Sequence, residues 1–499
     1  MSSSHRPNPD VAGGARPNVL VIHADQHRRE CLGAYGNREI RTPHLDNLAR
    51  DGVRYDNCFC PFPVCTPSRY SLLSGLYVHE HRGVTNRSTM LPGTPTFASL
   101  LAGAGYRTRA VGKMHLTPTY CDVGFQEMYL AEQDGQGRWD DDYHRWLRDR
   151  DLVDVNDLED QERTYREQAP AEYWETFGAL PSNLPEECHS TTWIGERALE
   201  ALEGWGPGGN LLMVGFIKPH HPFDPPRPWA GMYDPRYLTL LPGWTDGIPP
   251  QDAAYSQGYF PDERLSRDSL RRVMAYYYAT ISQVDFQVGR LLEALKRRGL
   301  YEDTMVVHTS DHGDYMGFHH RILKGNHLYD PLARVPLLVK WPRQTTRGLA
   351  SGRLASTVDL APTILGGVGL PPAPGMSGLD LAGSEERDVV FSQSNGGELM
   401  ARTARHKLLL NHRQPERSLL FDLVADPAEL HNLSDEPTMA PLRAELTALL
   451  RDWLPQPDYP PHVRADAPMI DQPNAREGAD RRGEIMAYYD RGMRSARSV

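Results

Sequence analysis

The sequence predicts an α/β fold: a mostly parallel central sheet flanked by helices, followed by a smaller C-terminal α+β subdomain. Three observations carry that expectation. Short aliphatic runs recur between residues 19 and 339, longer helical patterns separate them, and the runs are continuous rather than alternating. A continuous apolar run is what a strand covered on both faces requires, and strands spaced by helical patterns signal a parallel sheet.

In chain order, Val19-Leu20-Val21-Ile22 is the first such run. Thr108 to Val111 is a weaker candidate, and Leu211 to Ile217, Met305 to Val307 and Pro336 to Val339 complete the set. Ser269 to Arg298 is the clearest helix, because Tyr277, Ile281, Val284, Val288, Leu291 and Leu295 make one apolar stripe. Lys296, Arg297 and Arg298 suit its last turn, and Gly299 suits its C-cap. Residues 131–190 are acidic and poor in aliphatics, and read as an insertion between core strands. Residues 1–16 read as a disordered lead, 17–375 as the main α/β unit, 376–455 as the C-terminal subdomain and 456–499 as a charged tail that packs on the body or on another subunit.

Bulk properties narrow the function classes. A chain of 499 residues holds two or three units, or one large α/β unit with an appendage. Its 39% hydrophobic and 24% charged residues are ordinary for a globular protein. A formal net charge of -11 argues against a general nucleic-acid binder. No apolar run approaches the roughly 20 residues that span a bilayer, so no membrane partner is expected. The N-terminus lacks a secretory pattern, and the six cysteines form no CxxC pair. Together these point to a cytoplasmic protein with reduced thiols.

Chemistry concentrates where the candidate strands end. In open α/β sheets, ligands bind beyond the carboxyl ends of strands. The first run ends in Asp25-Gln26, the second leads to Gly112-Lys113-Met114-His115, the third to Lys218-Pro219-His220-His221-Pro222-Phe223, and the fourth to Ser310-Asp311-His312-Gly313. Two acids, an amide and an imidazole make a ligand set for a divalent cation, and oxygen-rich donors suit Ca²⁺, Mn²⁺ or Mg²⁺. Taken singly, each has a bland reading. An Asp after a strand is more often an N-cap, a lysine is more often solvated, and a lone cysteine is more often a small buried hydrophobe. Co-occurrence in order at strand ends is what shifts the balance.

Cys65-Thr66-Pro67-Ser68-Arg69 resembles the signature at which a dedicated maturation enzyme oxidises cysteine to formylglycine. With it, Asn18 to Gln26, Thr42 to Asp46, Gly112 to His115, Lys218 to Phe223, Ser310 to Gly313, Lys324 and Arg334-Val335-Pro336 resemble the formylglycine-dependent type I sulfatases of the alkaline phosphatase superfamily. Later landmarks at 358–363 and 420–433 extend the resemblance over roughly residues 17 to 435.

That resemblance implies an alkaline phosphatase-like fold and hydrolysis of a sulfate ester through a covalent sulfo-formylglycine intermediate at position 65. It implies that Asp25, Gln26, Cys65 in its modified form, Asp311 and His312 hold one metal ion. Arg69, Lys113, His115, His220 and Lys324 are the implied catalytic groups. Arg69 would orient the diol, Lys113 and Lys324 would clamp sulfate, His115 would bond the second hydroxyl, and His220 would be the general acid with His221 as its rival. Asn326 and His327 are further candidates for substrate contact. The implied partners are a small-molecule or sugar sulfate ester and, during maturation, a formylglycine-generating enzyme; a homo-oligomer is compatible with the tail.

Gln26 and His312 depart from residues common in many sulfatases and resemble the phosphonate monoester hydrolase and phosphodiesterase subset. Hydrolysis of phosphonate monoesters or phosphate diesters is therefore the alternative reading. A two-metal phosphodiesterase lacks acids at matching strand ends to accompany His308, His319, His320 and His327. A catalytically silent binder of sulfated ligands would require Cys65 to remain a thiol.

Overall fold

The computed structural model describes residues 16–134, 137–252, 260–325, 327–464, 466–476 and 481–496. The expected disordered lead and Asn326 therefore lie outside the described residues, apart from Arg16.

The central sheet contains nine strands: β1 (Asn18–Asp25), β2 (Val53–Phe59), β3 (Arg107–Gly112), β4 (Glu127–Leu130), β5 (Asn210–Pro219), β6 (Thr304–Thr309), β7 (Arg334–Val335), β8 (Leu337–Lys340) and β9 (Leu349–Ser356). Their order is β4-β3-β5-β1-β6-β8-β2-β7, with β9 beside β2. The five neighbours β4, β3, β5, β1 and β6 run parallel, and β8 joins β6 antiparallel. All eight residues of β1 are buried. Val19 and Val21 enter the core on one face, while Leu20, Ile22 and Ala24 enter the core on the other. Burial on both faces is why this strand reads as an unbroken apolar run.

Helices cover both faces. The longest, Arg267–Arg297, begins at Ser266, whose side chain accepts from the Ser269 N–H. It packs Val284, Val288, Leu291 and Leu295 against β5 and its neighbours. Gly299 follows in the left-handed region at φ 67°, where glycine carries no steric penalty.

A second, antiparallel sheet follows: β10 (Val390–Gln393), β11 (Glu398–Arg402), β12 (His406–Asn411) and β13 (Leu419–Asp422). One face meets helix Ala440–Trp453 through Leu408, Leu446 and Leu450. The other packs Met400, Leu409 and Phe421 on Phe59, Tyr329 and Leu332 of the main body. Between β4 and β5, residues 137–175 form five short helices. Helix Arg482–Ala496 returns to this region, packing Ile485, Tyr489 and Met493 on Trp139, Leu158 and Tyr165. Among the described residues, no helix is long and apolar enough to cross a membrane, and all six cysteines are free.

Candidate active site

Four adjacent parallel strands, β3, β5, β1 and β6, deliver their carboxyl ends to one edge of the sheet. Asp25 closes β1, and Gln26 follows at φ 60°; His115, just beyond β3, sits at φ 55°. Such left-handed turns are uncommon for non-glycine residues and turn the chain sharply at the strand ends. At the same edge, β3 and β5 come so close that a Cβ on Gly112 would lie 2.1 Å from the Gly215 carbonyl oxygen.

Cys65 is the first residue of helix Cys65–Ser74, all ten residues of which are buried. Its cap, Val64, offers no side-chain acceptor, and the partial positive charge of the helix N-terminus favours an anion at position 65. The Thr66 hydroxyl donates to the His115 carbonyl at 2.7 Å, and the Ser68 hydroxyl donates to the Asp311 carbonyl at 2.7 Å. These bonds pin the helix to the ends of β3 and β6.

Cys65 Sγ marks where a carbon-bound oxygen of a converted residue would sit. It lies 3.0 Å from Lys324 Nζ, 3.4 Å from His312 Nε2 and 3.8 Å from Asp25 Oδ1. Burial and Asp25 push the thiol up, but Lys324, His312 and Lys113 outweigh them and hold it well below its ordinary value. Asp25 is likewise driven up by burial and brought well down by Lys113, His220, Arg69 and Lys324. Its Oδ2 meets Lys113 Nζ at 2.7 Å and Arg69 Nη2 at 3.0 Å.

Arg69 lies one helical turn beyond Cys65, and it is committed to partners that its position in the sequence does not reveal. Its guanidinium is committed to Asp311 at 3.0 Å, Asp25 at 3.0 Å and the Lys113 carbonyl at 2.6 Å. It locks the two carboxylates beside Cys65, whose charge also acts on the guanidinium. His115 Nε2 lies 2.5 Å from Asp134 Oδ1. Burial opposes its protonation, yet the Asp134 charge prevails and raises the imidazole to about 10. His220 Nε2 lies 3.1 Å from Lys324 Nζ, whereas the His221 ring turns away to Asp160. Burial and then Lys324 hold His220 well below its ordinary value; an anion brought against Lys324 acts in the opposite sense. His327 is buried beside Glu398, 3.3 Å away.

The donors fit a hard divalent cation. Asp25, Cys65, Asp311 and His312 offer ligand atoms all within 4.8 Å of one another. Gln26 donates its amide N–H to Asp314 at 2.6 Å, which leaves its Oε1 buried without a hydrogen-bond partner. Buried acceptors are rarely orphaned without reason; a cation beside Asp25 and Asp311 would satisfy it. The His312 Nδ1–H donates to the Gly313 carbonyl at 2.9 Å, fixing Nε2 as the ring's free donor atom.

A cavity of about 500 Å³ adjoins this cluster, lined by Asn86, His115, Asp134, Trp139, Arg464 and Arg482 among others. Several residues around the cluster were not singled out from sequence. Asn86 accepts from the Thr66 N–H at 3.2 Å, and Gln133 accepts from Lys113 Nζ at 3.1 Å. Asp134, Asp160 and Gln133 all come from residues 131–190, where turns and helices as short as Val155–Gln161 show little periodicity.

The sulfatase family model matches residues 17–370. The chain belongs to the sulfatase family. It is 29% identical over 452 residues to an arylsulfatase of Clostridium perfringens, covering 84% of this chain and 90% of that protein. It is 25% identical over 493 residues to an N-acetylglucosamine-6-O-sulfatase of Bacteroides thetaiotaomicron, covering 89% and 87%. Among solved structures, the phosphonate monoester hydrolase of Agrobacterium radiobacter shares the fold with a TM-score of 0.72 at 24% identity, covering 92% of this chain and 100% of that one. A protein solved with its substrate D-glucosamine-2-N,6-O-disulfate follows at 0.70 and 22%, covering 89% and 98%. The chain is thus a sulfuric ester hydrolase of the alkaline phosphatase superfamily, with the expected mixed α/β architecture.

Proposed function

We propose that this sulfatase hydrolyses a sulfate monoester of a small-molecule or sugar alcohol through a diol on residue 65, formed by oxidation of Cys65 to the formylglycine aldehyde and addition of water to that aldehyde. The observation that carries this reading is the convergence on Cys65 Sγ of Lys324 at 3.0 Å, His312 at 3.4 Å and Asp25 at 3.8 Å, within the Cys-x-Pro-Ser-Arg segment.

Asp25, Gln26, Asp311, His312 and residue 65 would hold one Ca²⁺, Mn²⁺ or Mg²⁺ ion. When bound, such an ion supplies Lewis-acid stabilisation and lowers the pKa of a neighbouring hydroxyl. The chain's own residues do the rest. Lys113 and Lys324 place fixed positive charge where the sulfate oxygens gather charge. One hydroxyl of residue 65 gives its proton to water, and its oxygen forms a bond to sulfur as the bond from sulfur to the alcohol oxygen breaks. His220 gives its Nε2 proton to that oxygen, so the alcohol leaves neutral. Loss of the proton from the second hydroxyl of residue 65, to the His220 left neutral by the first step, then restores the aldehyde as the carbon–oxygen bond to sulfate breaks. His115, held charged by Asp134, faces this residue and orients the second hydroxyl.

Two measurements test the reading on protein from a host with the maturation enzyme. Mass spectrometry of the Cys65 peptide should show a loss of about 18 Da, the difference between a thiol and an aldehyde side chain. Turnover of aryl sulfates should release inorganic sulfate. An unmodified thiol in fully active protein would overturn the diol. The Gln26–His312 donor set favours one second reading, phosphonate monoester or phosphate diester hydrolysis at the same site; a higher kcat/KM for an aryl phosphate diester than for the matching sulfate would establish it.

A further inference from the structure

We propose that Asp160 and His221 form a positioning pair that fixes the imidazole of His220 for proton donation. This inference rests on the hydrolytic reading above and assigns a role to the segment between β4 and β5.

Asp160 is fully buried in the last turn of helix Val155–Gln161. Its Oδ2 lies 2.5 Å from His221 Nδ1, and its Oδ1 accepts from the Tyr173 hydroxyl at 2.8 Å. The carboxylate is therefore held from one side and holds the His221 ring on the other. That ring stacks on the His220 ring, with centroids 4.2 Å apart and planes 25° apart. The His221 carbonyl does a second job. It accepts from His220 Nδ1 at 2.7 Å, from Gln133 Nε2 at 2.8 Å and from Gln161 Nε2 at 3.1 Å.

A carbonyl can only accept, so His220 Nδ1 must carry its proton. The remaining nitrogen, Nε2, is the one that faces Lys324 at 3.1 Å, and it is the atom that gains and gives a proton. One face of the ring is covered by His221 and one edge is tethered to the His221 carbonyl. The ring thus has little freedom to swing from the leaving oxygen. Two glutamines and a buried carboxylate converging on one residue make a support that a solvated histidine would not need. His221 itself, turned to Asp160, acts through His220 rather than on the substrate.

The test uses leaving-group dependence in the full-length matured enzyme. Phenyl sulfate needs protonation of its departing oxygen far more than 4-nitrophenyl sulfate does. Asp160→Asn should lower kcat/KM on phenyl sulfate at least ~10-fold more than on 4-nitrophenyl sulfate, a part of the ~10²–10⁴-fold supplied by general acid catalysis. A fold defect removes active molecules and lowers both rates by one factor, so equal losses, or none, overturn the proposal. Should Asp160→Asn prove insoluble, His221→Phe keeps the stacked ring while losing the Asp160 bond, and the same difference between substrates decides. If the wild-type enzyme releases no sulfate from either ester, the hydrolytic reading itself falls, and this inference with it.

Discussion

Two buried clusters set histidines against carboxylates, and they differ in what answers the negative charge. Around residue 65, Asp25 and Asp311 are met by Arg69 and Lys113, with Lys324 beside the thiol. Three fixed cations stand against two carboxylates, so the cluster has capacity for further negative charge. Between the main body and the second sheet, Asp252 and Glu398 are met instead by His319 at 2.6 Å, His327 at 3.3 Å, the Tyr329 hydroxyl at 2.6 Å and the Leu328 N–H at 2.7 Å. Acids do therefore accompany His319 and His327, from the turn Pro250–Asp252 and the start of β11 rather than from the ends of the parallel strands. The first cluster keeps more fixed positive charge than its carboxylates answer. The second spends its charges internally and ties His327 and Leu328 to β11.

Four measurements sharpen that contrast. Cys65→Ala should abolish turnover, by roughly 10⁴–10⁶-fold as when a covalent nucleophile is removed; residual sulfate release above that range breaks the assignment. Chelation should lower kcat by roughly 10³-fold, reversibly on adding a divalent cation, given the several kcal/mol such an ion supplies; a chelator-resistant enzyme with no bound metal by elemental analysis contradicts the donor set. Lys113→Ala should lower kcat/KM by about 10²–10³-fold, and a loss below about threefold would remove Lys113 from the reaction.

Asp252→Asn, in the second cluster, should leave kcat per folded molecule nearly intact and lower unfolding stability by about 1–3 kcal/mol, as for a broken buried hydrogen bond. Burial pushes the Asp252 carboxyl up, but the His319 hydrogen bond and the charges of His327 and His319 outweigh it and leave it below its ordinary value. A depressed carboxylate stabilises the fold above its unfolded pKa, and that contribution fades as pH falls through the folded value. The difference in Tm between wild type and Asp252→Asn should therefore shrink on acidification below the ordinary aspartate range. A constant difference would place the effect in packing.

Much of this was legible beforehand where burial writes itself into composition. β1, β5, β6 and β8 lie inside the sheet and carry aliphatic runs. The helix Arg267–Arg297 shows its stripe because one side faces the sheet. β2 and β9, with mixed burial and residues such as Arg54, Asp56 and Arg353, gave no such signal. At the site, the strand-end residues could be named because each follows a recognisable run. Gln133, Asp134 and Asp160 could not, since their importance lies in what they meet across the fold. The same holds for Arg69, whose place could be named but not its commitment to both carboxylates.

The packing of helix Arg482–Ala496 on Trp139, Leu158 and Tyr165 has a consequence for biosynthesis. The brace behind Asp160 leaves the ribosome long after residue 65 has emerged, so the wall beside His220 closes late. Cys65, inaccessible in the finished fold, is synthesised before that wall is complete, and this is the interval that the proposed oxidation would use.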